Sequence, residues 1–337
     1  MKFLITGAGL VGCHVAQKLL EVGDEPVLFE MAPRVDYVES LVAPNKVRLV
    51  IGDILDLADL IRVIEGEGVD YVVHTAFMLT AASKERPHAG IAVNVSGTSN
   101  VLEAARLAGI KRVVFCSSSS VYTRASIKDI GRPYSEDMMF KSVSQRPTTI
   151  YAATKLACEY LGLVYNDRYG LDFVALRIAG IFGAFKGPKG SGGLNTVLIR
   201  EIIDAGLSQK VITLSRPPGW PSPREFVYAK DVADAIVTCC YAGELDTKVY
   251  NIGMGKFYDF PDVVRIANKV FPGSKIKIGV DTNNEPSPDD EGWYYKLFQP
   301  FDISLAEKEL GFSPQYDMDR ALADFGHWRR INSEQEK

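Results

Sequence analysis

The sequence has little of what marks metal-binding or disulfide-linked proteins. It contains 5 cysteines and 4 histidines in 337 residues, with no CxxC pair and no spacing typical of metal ligands. An odd, scattered set of cysteines is typical of reduced thiols, so we expect a cytoplasmic protein without a bound metal. Each cysteine is interpreted as a small buried apolar residue; the five are Cys13, Cys116, Cys158, Cys239 and Cys240.

An excess of positive charge and long apolar runs are also missing. The formal net charge of −4 argues against nucleic acid or an anionic membrane surface as the main partner. Glycine or charged residues interrupt every apolar run before it reaches the length of a transmembrane helix. Because the first predicted strand begins at residue 2, we expect no signal peptide. A small-molecule substrate is therefore the expected partner.

Short apolar runs alternate with helical patterns through the first half of the chain. Helical patterns near 12–22, 56–65, 88–108 and 151–169 separate strands predicted at 2–6, 26–30, 47–51, 70–74, 111–117 and 172–178. Strands that alternate with helices form βαβ crossovers, and hence a parallel sheet covered on both faces. The sequence therefore predicts an α/β protein with a Rossmann-type doubly wound parallel sheet.

The composition of the chain changes after Arg177. Loops rich in glycine or proline flank a helix predicted at 195–206. After them, a helix from Asp231 and a strand at 249–252 have the apolar composition of a buried core. We predict two interleaved parts without a linker between them. Residues 1–178 and 225–253 would form the Rossmann domain, and residues 179–224 and 254–330 a smaller substrate-binding lobe.

Three glycines follow the first predicted strand, at positions 7, 9 and 12, and a helical pattern begins at once. In such a unit Gly7 permits the tight turn, Gly9 lets the backbone approach a pyrophosphate, and Gly12 lets helix and strand pack closely. The N–H groups that open the helix then face the anion. A tight turn without a ligand is the alternative, but placement between one strand and one helix favours a dinucleotide.

Two acids stand where predicted strands end. Glu30 closes the second strand, where a carboxylate can accept hydrogen bonds from both adenosine ribose hydroxyls and repel a 2′-phosphate. This favours NAD over NADP, although Arg34 nearby could soften the preference. Asp53 closes the third strand and is a candidate for the adenine amino group; capping of the next helix is the competing explanation.

Tyr151 and Lys155 open a predicted helix four residues apart, so both side chains project from one face. An ammonium beside a phenol favours the phenolate and lowers a pKa that is normally about 10. Tyrosine then becomes a usable general acid/base for a carbinol, while lysine also holds the ribose of the cofactor. Such a pair is common on helix surfaces, but here it follows a dinucleotide-binding half.

A third catalytic group is expected from the carboxyl end of the fifth strand, where open α/β sheets place ligands. Four consecutive serines, Ser117 to Ser120, stand there. A serine hydroxyl can hydrogen-bond the substrate oxygen and steady its developing charge. The residues alone leave the choice among the four open, and most must be ordinary loop residues.

The chain resembles the extended short-chain dehydrogenases/reductases, the NAD-dependent epimerase/dehydratase family. The resemblance covers almost the whole length and rests on ordered motifs besides the glycines and the Tyr/Lys pair. They are Val73-His74-Thr-Ala76, Asn94-Val-Ser-Gly-Thr-Ser-Asn100, Ser117-Ser-Ser-Ser-Val-Tyr122, Leu176-Arg177, Arg224-Glu-Phe-Val-Tyr-Ala-Lys-Asp231, Tyr250-Asn-Ile-Gly253 and Asp302-Ile-Ser.

The resemblance implies NAD as cofactor and a set of site residues. Ser118, four places before Tyr122, would be the catalytic serine with Ser119 as fallback, beside Tyr151 and Lys155. Implied cofactor contacts are Gly7, Gly9, Leu10, Val11, Gly12, Glu30, Asp53, Ile54, Thr75, Ala76, Asn94, Ser117, Tyr151 and Lys155. Implied substrate contacts are Phe77, Ser118, Ser119, Asn195 and Arg224. Asp231 would cap the helix beneath Arg224, and His74 is interpreted as structural.

Two departures from the family pattern bear on the substrate. The glycine motif is one residue shorter than the usual GxxGxxG, so the turn must differ although cofactor binding should survive. Nucleotide-sugar members usually carry an asparagine just beyond the Leu-Arg motif, whereas this chain reads Arg177-Ile-Ala-Gly-Ile-Phe-Gly183. Asn195 could compensate, or could be an ordinary helix N-cap. Apolar clusters at 77–79 and 138–140 would suit a less polar substrate, or merely pack the second lobe.

Several functions share these residues. A dehydrogenase acting on a secondary alcohol or its ketone is slightly favoured, because the nucleotide-sugar determinants look incomplete. An epimerase that retains the keto intermediate is the alternative, and a non-catalytic NAD-binding scaffold or redox sensor is a second one. A dehydratase is disfavoured, since Ser119 and Ser120 occupy the places of its acidic pair. The resemblance also implies a homodimer through the helices at 88–108 and 151–169.

Overall fold

The computed structural model describes residues 1–43, 46–122, 133–137, 149–185, 194–214, 224–279 and 300–333. Its central feature is a seven-stranded sheet with the order β3-β2-β1-β4-β5-β6-β10. All neighbouring strands in it are parallel. The strands are β1 (Lys2–Thr6), β2 (Glu25–Glu30), β3 (Arg48–Ile51), β4 (Tyr71–His74), β5 (Arg112–Ser118), β6 (Phe173–Ile178) and β10 (Val249–Ile252).

The strand order reverses between β1 and β4. Consecutive strands run outward from β1 to β3 on one side, and from β4 to β6 on the other. At such a switch point the crossover helices diverge and leave a crevice above the carboxyl ends of the strands, where ligands bind. The predicted doubly wound Rossmann-type sheet is therefore confirmed, and the crevice lies next to the glycine turn after β1.

Helices cover both faces of this sheet. Helices α1 and α9 pack against each other on one face, and α3, α6 and α7 cover the other. Their bounds, with those of the short α2, α4 and α5, are α1 (Leu10–Glu21), α2 (Val35–Leu41), α3 (Leu57–Glu67), α4 (Thr80–Glu85), α5 (Pro87–Ile91), α6 (Gly97–Leu107), α7 (Ile150–Tyr169) and α9 (Ala229–Tyr241). Burial on both faces explains the continuous apolar runs in the strands, such as Phe3 to Ile5, which are fully buried.

A second core forms around two small sheets. One has the order β11-β9-β7 and the other joins β12 to β8. The elements are β7 (Gly180–Phe182), β8 (Val211–Leu214), β9 (Arg224–Tyr228), β11 (Phe257–Tyr258), β12 (Lys275–Ile278), α8 (Leu194–Leu207), α10 (Phe260–Val270), α11 (Ser304–Leu310) and α12 (Met318–Ser333). Buried residues drawn from α8, α10 and α12 surround Phe182 and Phe226 in this core.

Two helix expectations differ from the structure. The helix predicted at 88–108 is divided into α5, a π-helical turn at Ala92–Ser96 and α6, because one extra residue is accommodated within the turn. Helix α9 begins at Ala229 and not at Asp231. No helix in the described part of the chain is both long and apolar enough to cross a bilayer.

Candidate active site

The three glycines of the first turn meet three different steric demands. Gly7 has φ +93°, and its N–H donates to the Phe29 carbonyl at 2.8 Å, so the turn needs a residue tolerant of positive φ. A Cβ at Gly12 would lie 1.9 Å from the Gly7 oxygen, so α1 could not approach β1 this closely. At Gly9 a Cβ would have no described atom within 4 Å, which leaves the backbone open to a ligand.

The start of α1 offers hydrogen-bond donors beside that open space. Its N-cap residue is Gly9, which makes no side-chain capping hydrogen bond. The first N–H groups of a helix, here those of Leu10, Val11 and Gly12, have no partner within the helix. With the positive end of the helix dipole they suit a pyrophosphate, so the residues present fit a bound dinucleotide.

Glu30 lies at the end of β2 next to the glycine turn. Its carboxylate accepts hydrogen bonds from the Ala8 N–H at 3.1 Å and the Ala32 N–H at 3.2 Å. A carboxylate has about four lone-pair sites, so it can still accept from ribose hydroxyls. Arg34, which could have softened the preference against a 2′-phosphate, forms a surface ion pair with Asp36 at 3.2 Å.

Asp53 and Ile54 follow β3. The Asp53 carboxylate accepts from the Leu55 N–H at 2.9 Å, whereas Asp56 caps α3 by accepting from the first-turn N–H groups. Helix capping, the competing explanation for Asp53, is therefore performed by Asp56. Ile54 is buried against Gly97, where a Cβ would lie 2.5 Å from its Cδ1.

Residues at the end of β4 form hydrogen bonds to the elements next to the crevice. His74 is buried and uses both ring nitrogens, with Nδ1 2.6 Å from the Thr6 hydroxyl and Nε2 2.9 Å from the Thr98 hydroxyl. Burial lowers the pKa of His74 to about 3, and the positive charge of Lys155 adds to this. The Thr75 hydroxyl donates to the Thr6 carbonyl at 2.7 Å, and the Ala76 N–H would lie 2.9 Å from a Cβ at Gly7.

Asn94 lies in the π-helical turn and is fully buried. Its amide oxygen accepts from the Met78 N–H at 2.7 Å, and its amide nitrogen donates to the Met78 carbonyl at 3.2 Å and the Thr154 hydroxyl at 3.1 Å. The side chain thus joins the segment after β4 to α7. Its implied contact with the cofactor stays a prediction.

The Tyr/Lys pair opens α7, which is capped by the Thr149 hydroxyl. The Ser118 side chain lies close enough to the Tyr151 phenol to lower its pKa. One turn further on, the buried Lys155 ammonium donates to the Cys116 carbonyl at 2.5 Å. The structure therefore brings Ser118, Tyr151 and Lys155 together at the carboxyl end of β5.

The expectation that Lys155 lowers the pKa of Tyr151 is wrong for this structure. Burial raises the pKa of Tyr151 to about 12, opposed by the nearby Ser118 side chain. The Lys155 ammonium lies 5.7 Å from the Tyr151 ring centroid and is engaged by the Cys116 carbonyl. Burial also lowers the pKa of Lys155 to about 8. Desolvation thus outweighs the pairing that the spacing suggested.

Phe77 contacts both members of the pair. Its ring centroid lies 3.5 Å from the Lys155 ammonium and 5.6 Å from the Tyr151 ring, which it meets edge-on at 89°. An ammonium over an aromatic face is held by the ring quadrupole. The predicted substrate residue Phe77 is therefore packed directly onto the candidate acid/base group.

Of the four serines, two have side chains committed to different partners. Ser118 contacts Tyr151 and also accepts from the Ser120 N–H at 3.2 Å. The Ser117 hydroxyl donates to the buried Glu159. A contact between Ser117 and NAD would therefore be made by the Ser117 backbone. Ser119 begins a short 3-10 turn. The geometry favours Ser118 as the substrate-facing serine.

The remaining predicted substrate residues are Arg224 and Asn195. Arg224 is buried at the start of β9. The Asp231 carboxylate, expected to cap a helix, accepts from the N–H groups of Gln315 and Tyr316 at 2.8 and 3.1 Å and so anchors the segment before α12. The Asn195 side chain and the cluster at 138–140 are not among the described groups.

One partly buried carboxylate next to Arg224 has no signal in the sequence. Glu225 accepts from the Gly255 N–H at 2.8 Å and the Phe301 N–H at 2.7 Å, and burial raises its pKa to about 7. It joins the two chain segments that follow β10 and precede α11. An acid within a polar strand start carries no spacing signal, so only the fold reveals this role.

Comparison with known proteins identifies the family. Residues 3–253 match the model of the NAD dependent epimerase/dehydratase family. The chain belongs to this family. The resemblance to extended short-chain dehydrogenases/reductases is thereby confirmed, as are the expected NAD cofactor and an enzymatic function.

Similar proteins include members that act on nucleotide sugars. A UDP-glucose 4-epimerase from Corynebacterium glutamicum is 27% identical over 332 residues, covering 96% of this chain and 94% of its own. The structure of a Thermus thermophilus UDP-glucose 4-epimerase in complex with NAD is 25% identical with a TM-score of 0.78, covering 98% and 99% of the two chains. An L-threonine dehydrogenase structure from Clostridium difficile has the same fold, with 21% identity, a TM-score of 0.77 and coverage of 99% and 98%.

Proposed function

We propose that this enzyme transfers hydride reversibly between NAD and a secondary alcohol or ketone of a sugar-like or other small hydroxylated substrate. The observation that carries the proposal is that Ser118 lies next to Tyr151, with Lys155 anchored on the same strand end one turn along α7. These groups lie at the carboxyl end of β5, beside the switch point of the sheet. A scaffold would need no acid/base tyrosine in that position.

The chemistry divides between the chain and its cofactor. NAD supplies the hydride acceptor, and as NADH the donor. Tyr151 moves the hydroxyl proton, and Ser118 orients the substrate oxygen through a second hydrogen bond. Because its pKa is about 12, the phenol is protonated at neutral pH and is set to protonate a ketone oxygen during reduction. Lys155 would hold the nicotinamide ribose.

The two outcomes of this chemistry, dehydrogenation and epimerisation, differ in whether product and cofactor are released. The apolar Phe77 beside Tyr151 and the sequence Ala179-Gly180 after the Leu-Arg motif support a dehydrogenase with a substrate less polar than a nucleotide sugar. The UDP-sugar epimerases among the relatives support the alternative. Ser119 and Arg224 would contact the substrate in either case.

Cofactor retention separates the two. Purified protein is passed through gel filtration, and the NAD that remains is counted per chain. We expect little retained NAD together with NADH formation in a screen of sugar acids, hydroxy-ketone pairs and nucleotide sugars. Stoichiometric NAD that survives gel filtration, with interconversion of two sugar epimers, would establish the epimerase instead.

Glu30 is proposed to select NAD over NADP. A like-charge contact near a protein surface is worth about 1–4 kcal/mol, so NADP should bind at least about fivefold more weakly than NAD. Glu30→Ala should narrow that ratio, measured by titration of both coenzymes. Glu25→Ala, at the opposite end of β2, is the matched control and should leave the ratio unchanged. An unchanged ratio in Glu30→Ala would remove the carboxylate from the ribose site.

We also propose a homodimer through α6 and α7. Leu107, Tyr160 and Val164 are 54%, 47% and 51% exposed, which is unusual for large apolar residues on neighbouring helices. Val164→Glu should convert a dimer to a monomer in light scattering, whereas Val211→Glu, at an equally exposed residue on β8, should not. A monomeric parent protein would contradict the proposal.

The five cysteines, all buried and free, support a reducing compartment such as the cytoplasm.

A further inference from the structure

Three consecutive residues at the carboxyl end of β5 are each bound by one residue of α7. The α7 residues are spaced four apart, so they lie along one face of the helix. The pairs are Ser118 with Tyr151, Cys116 with Lys155, and Ser117 with Glu159. The first two pairs belong to the proposed catalytic set. The third pair, Ser117 with Glu159, takes no part in the chemistry, but it is a further contact that fixes α7 relative to β5.

Glu159 is held from the other side by Arg177 on β6. The guanidinium donates to the carboxylate through Nε, at 3.1 and 3.2 Å, and through Nη2 at 2.8 Å. Its Nη1 donates to the Tyr122 hydroxyl and the Glu136 carbonyl, both at 2.9 Å. The two charged side chains are only 3% and 5% exposed. These five hydrogen bonds fix the guanidinium, which in turn keeps the carboxylate directed at Ser117.

Stability alone does not account for this pair. Taking two charges out of water costs several kcal/mol per ion, and well-packed apolar replacements are often neutral or stabilising. We propose that Glu159 and Arg177 are positioning residues that hold the end of β5 in register with α7, and so keep Ser118 in contact with Tyr151. The inference rests on the proposed function of Ser118, Tyr151 and Lys155.

The charge of Glu159 also acts on Lys155. The titratable groups that face the ammonium are the thiols Cys116 and Cys158, the Glu159 carboxylate, the buried His74 and the Tyr151 phenol. Burial raises the pKa of both thiols and that of Tyr151, and lowers the pKa of His74 to about 3, so these four groups are neutral near pH 7. The carboxylate is the group of this set that can oppose the loss of the Lys155 charge.

The test is the double variant Glu159→Leu/Arg177→Met, in which both charges are removed and the volume is filled. We expect a melting temperature close to that of the parent, a KM within about threefold, and a kcat lowered roughly 10- to 100-fold, the size of effect produced by small misplacements of catalytic groups. A folded double variant with kcat within about twofold of the parent would overturn the proposal.

Two further variants separate positioning from general destabilisation. Ser117→Ala removes one hydroxyl and should lower kcat in the same direction with KM unchanged. Asp172→Asn is the matched control, since Asp172 pairs with the buried Arg112 at the opposite end of the same two strands. It should lower the melting temperature without lowering kcat at a temperature where the protein is folded. Loss of kcat in Asp172→Asn equal to that in the double variant would assign the effect to stability.

A readout independent of turnover is the pH dependence of NAD affinity. The ammonium of Lys155 is charged below its pKa of about 8, so affinity should fall as pH rises through that value. In Glu159→Gln, which removes the carboxylate charge and keeps Arg177, the fall should begin at lower pH. If no substrate is turned over, the proposed function fails, and the NAD affinity of the double variant decides the positioning role. Lys155 is anchored on the same strand end, so weaker NAD binding than in the parent supports the role and unchanged binding overturns it.

Discussion

Tyr151→Phe is expected to lower kcat by about 10³-fold, with the affinity for NAD nearly unchanged. Proton transfer by a positioned side chain contributes about 10²- to 10⁴-fold, and the substitution removes the hydroxyl that meets Ser118 while keeping the ring that packs on Phe77. Turnover is measured with the best substrate from the screen, and NAD binding by titration. The loss should lie in kcat because the proton moves only during reaction.

Tyr169→Phe provides the control for this experiment. Tyr169 lies at the end of the same helix and is 59% exposed, so its hydroxyl should be dispensable. If Tyr151→Phe retains turnover within about tenfold of the parent, proton transfer must be assigned to another group. An equal loss of NAD affinity and of kcat would instead give Tyr151 a binding role.

Gly12→Ala is expected to abolish NAD binding and to lower stability. The new Cβ would lie 1.9 Å from the Gly7 carbonyl oxygen and 3.2 Å from the Ile5 Cγ2. The carbonyl belongs to the backbone of the turn, so α1 must move away from β1, and overpacking of this kind costs about 1–3 kcal/mol or more. Thermal unfolding without NAD and titration with NAD measure the two effects.

Gly9→Ala tests whether an added methyl group can block NAD binding without colliding with the protein itself. A Cβ at Gly9 meets no described atom within 4 Å, and the residue has φ −90° and ψ −161°, which alanine adopts readily. The melting temperature without NAD should therefore be unchanged, while NAD should bind at least about tenfold more weakly because the methyl group occupies the approach to the pyrophosphate. Unimpaired binding would place the pyrophosphate elsewhere.

The sequence by itself determined the parallel sheet and the dinucleotide turn. Both are local properties. Alternation of apolar strands with helical patterns requires βαβ crossovers, and the spacing of Gly7, Gly9 and Gly12 already indicates the steric demand that each position meets. The Tyr/Lys spacing likewise placed two side chains on one helix face. The π-helical turn escaped prediction, because one inserted residue leaves no mark in a helical apolar pattern.

Only the tertiary structure decided which groups meet across elements. It directed Ser118 to Tyr151 and Ser117 to Glu159, which four identical residues in a row could not reveal. It also reversed the expected direction of the Tyr151 pKa, since desolvation depends on everything packed around the phenol and not on one neighbour four residues away. Spacing along a chain fixes which side chains share a face, whereas burial and partners from other strands fix what those side chains do.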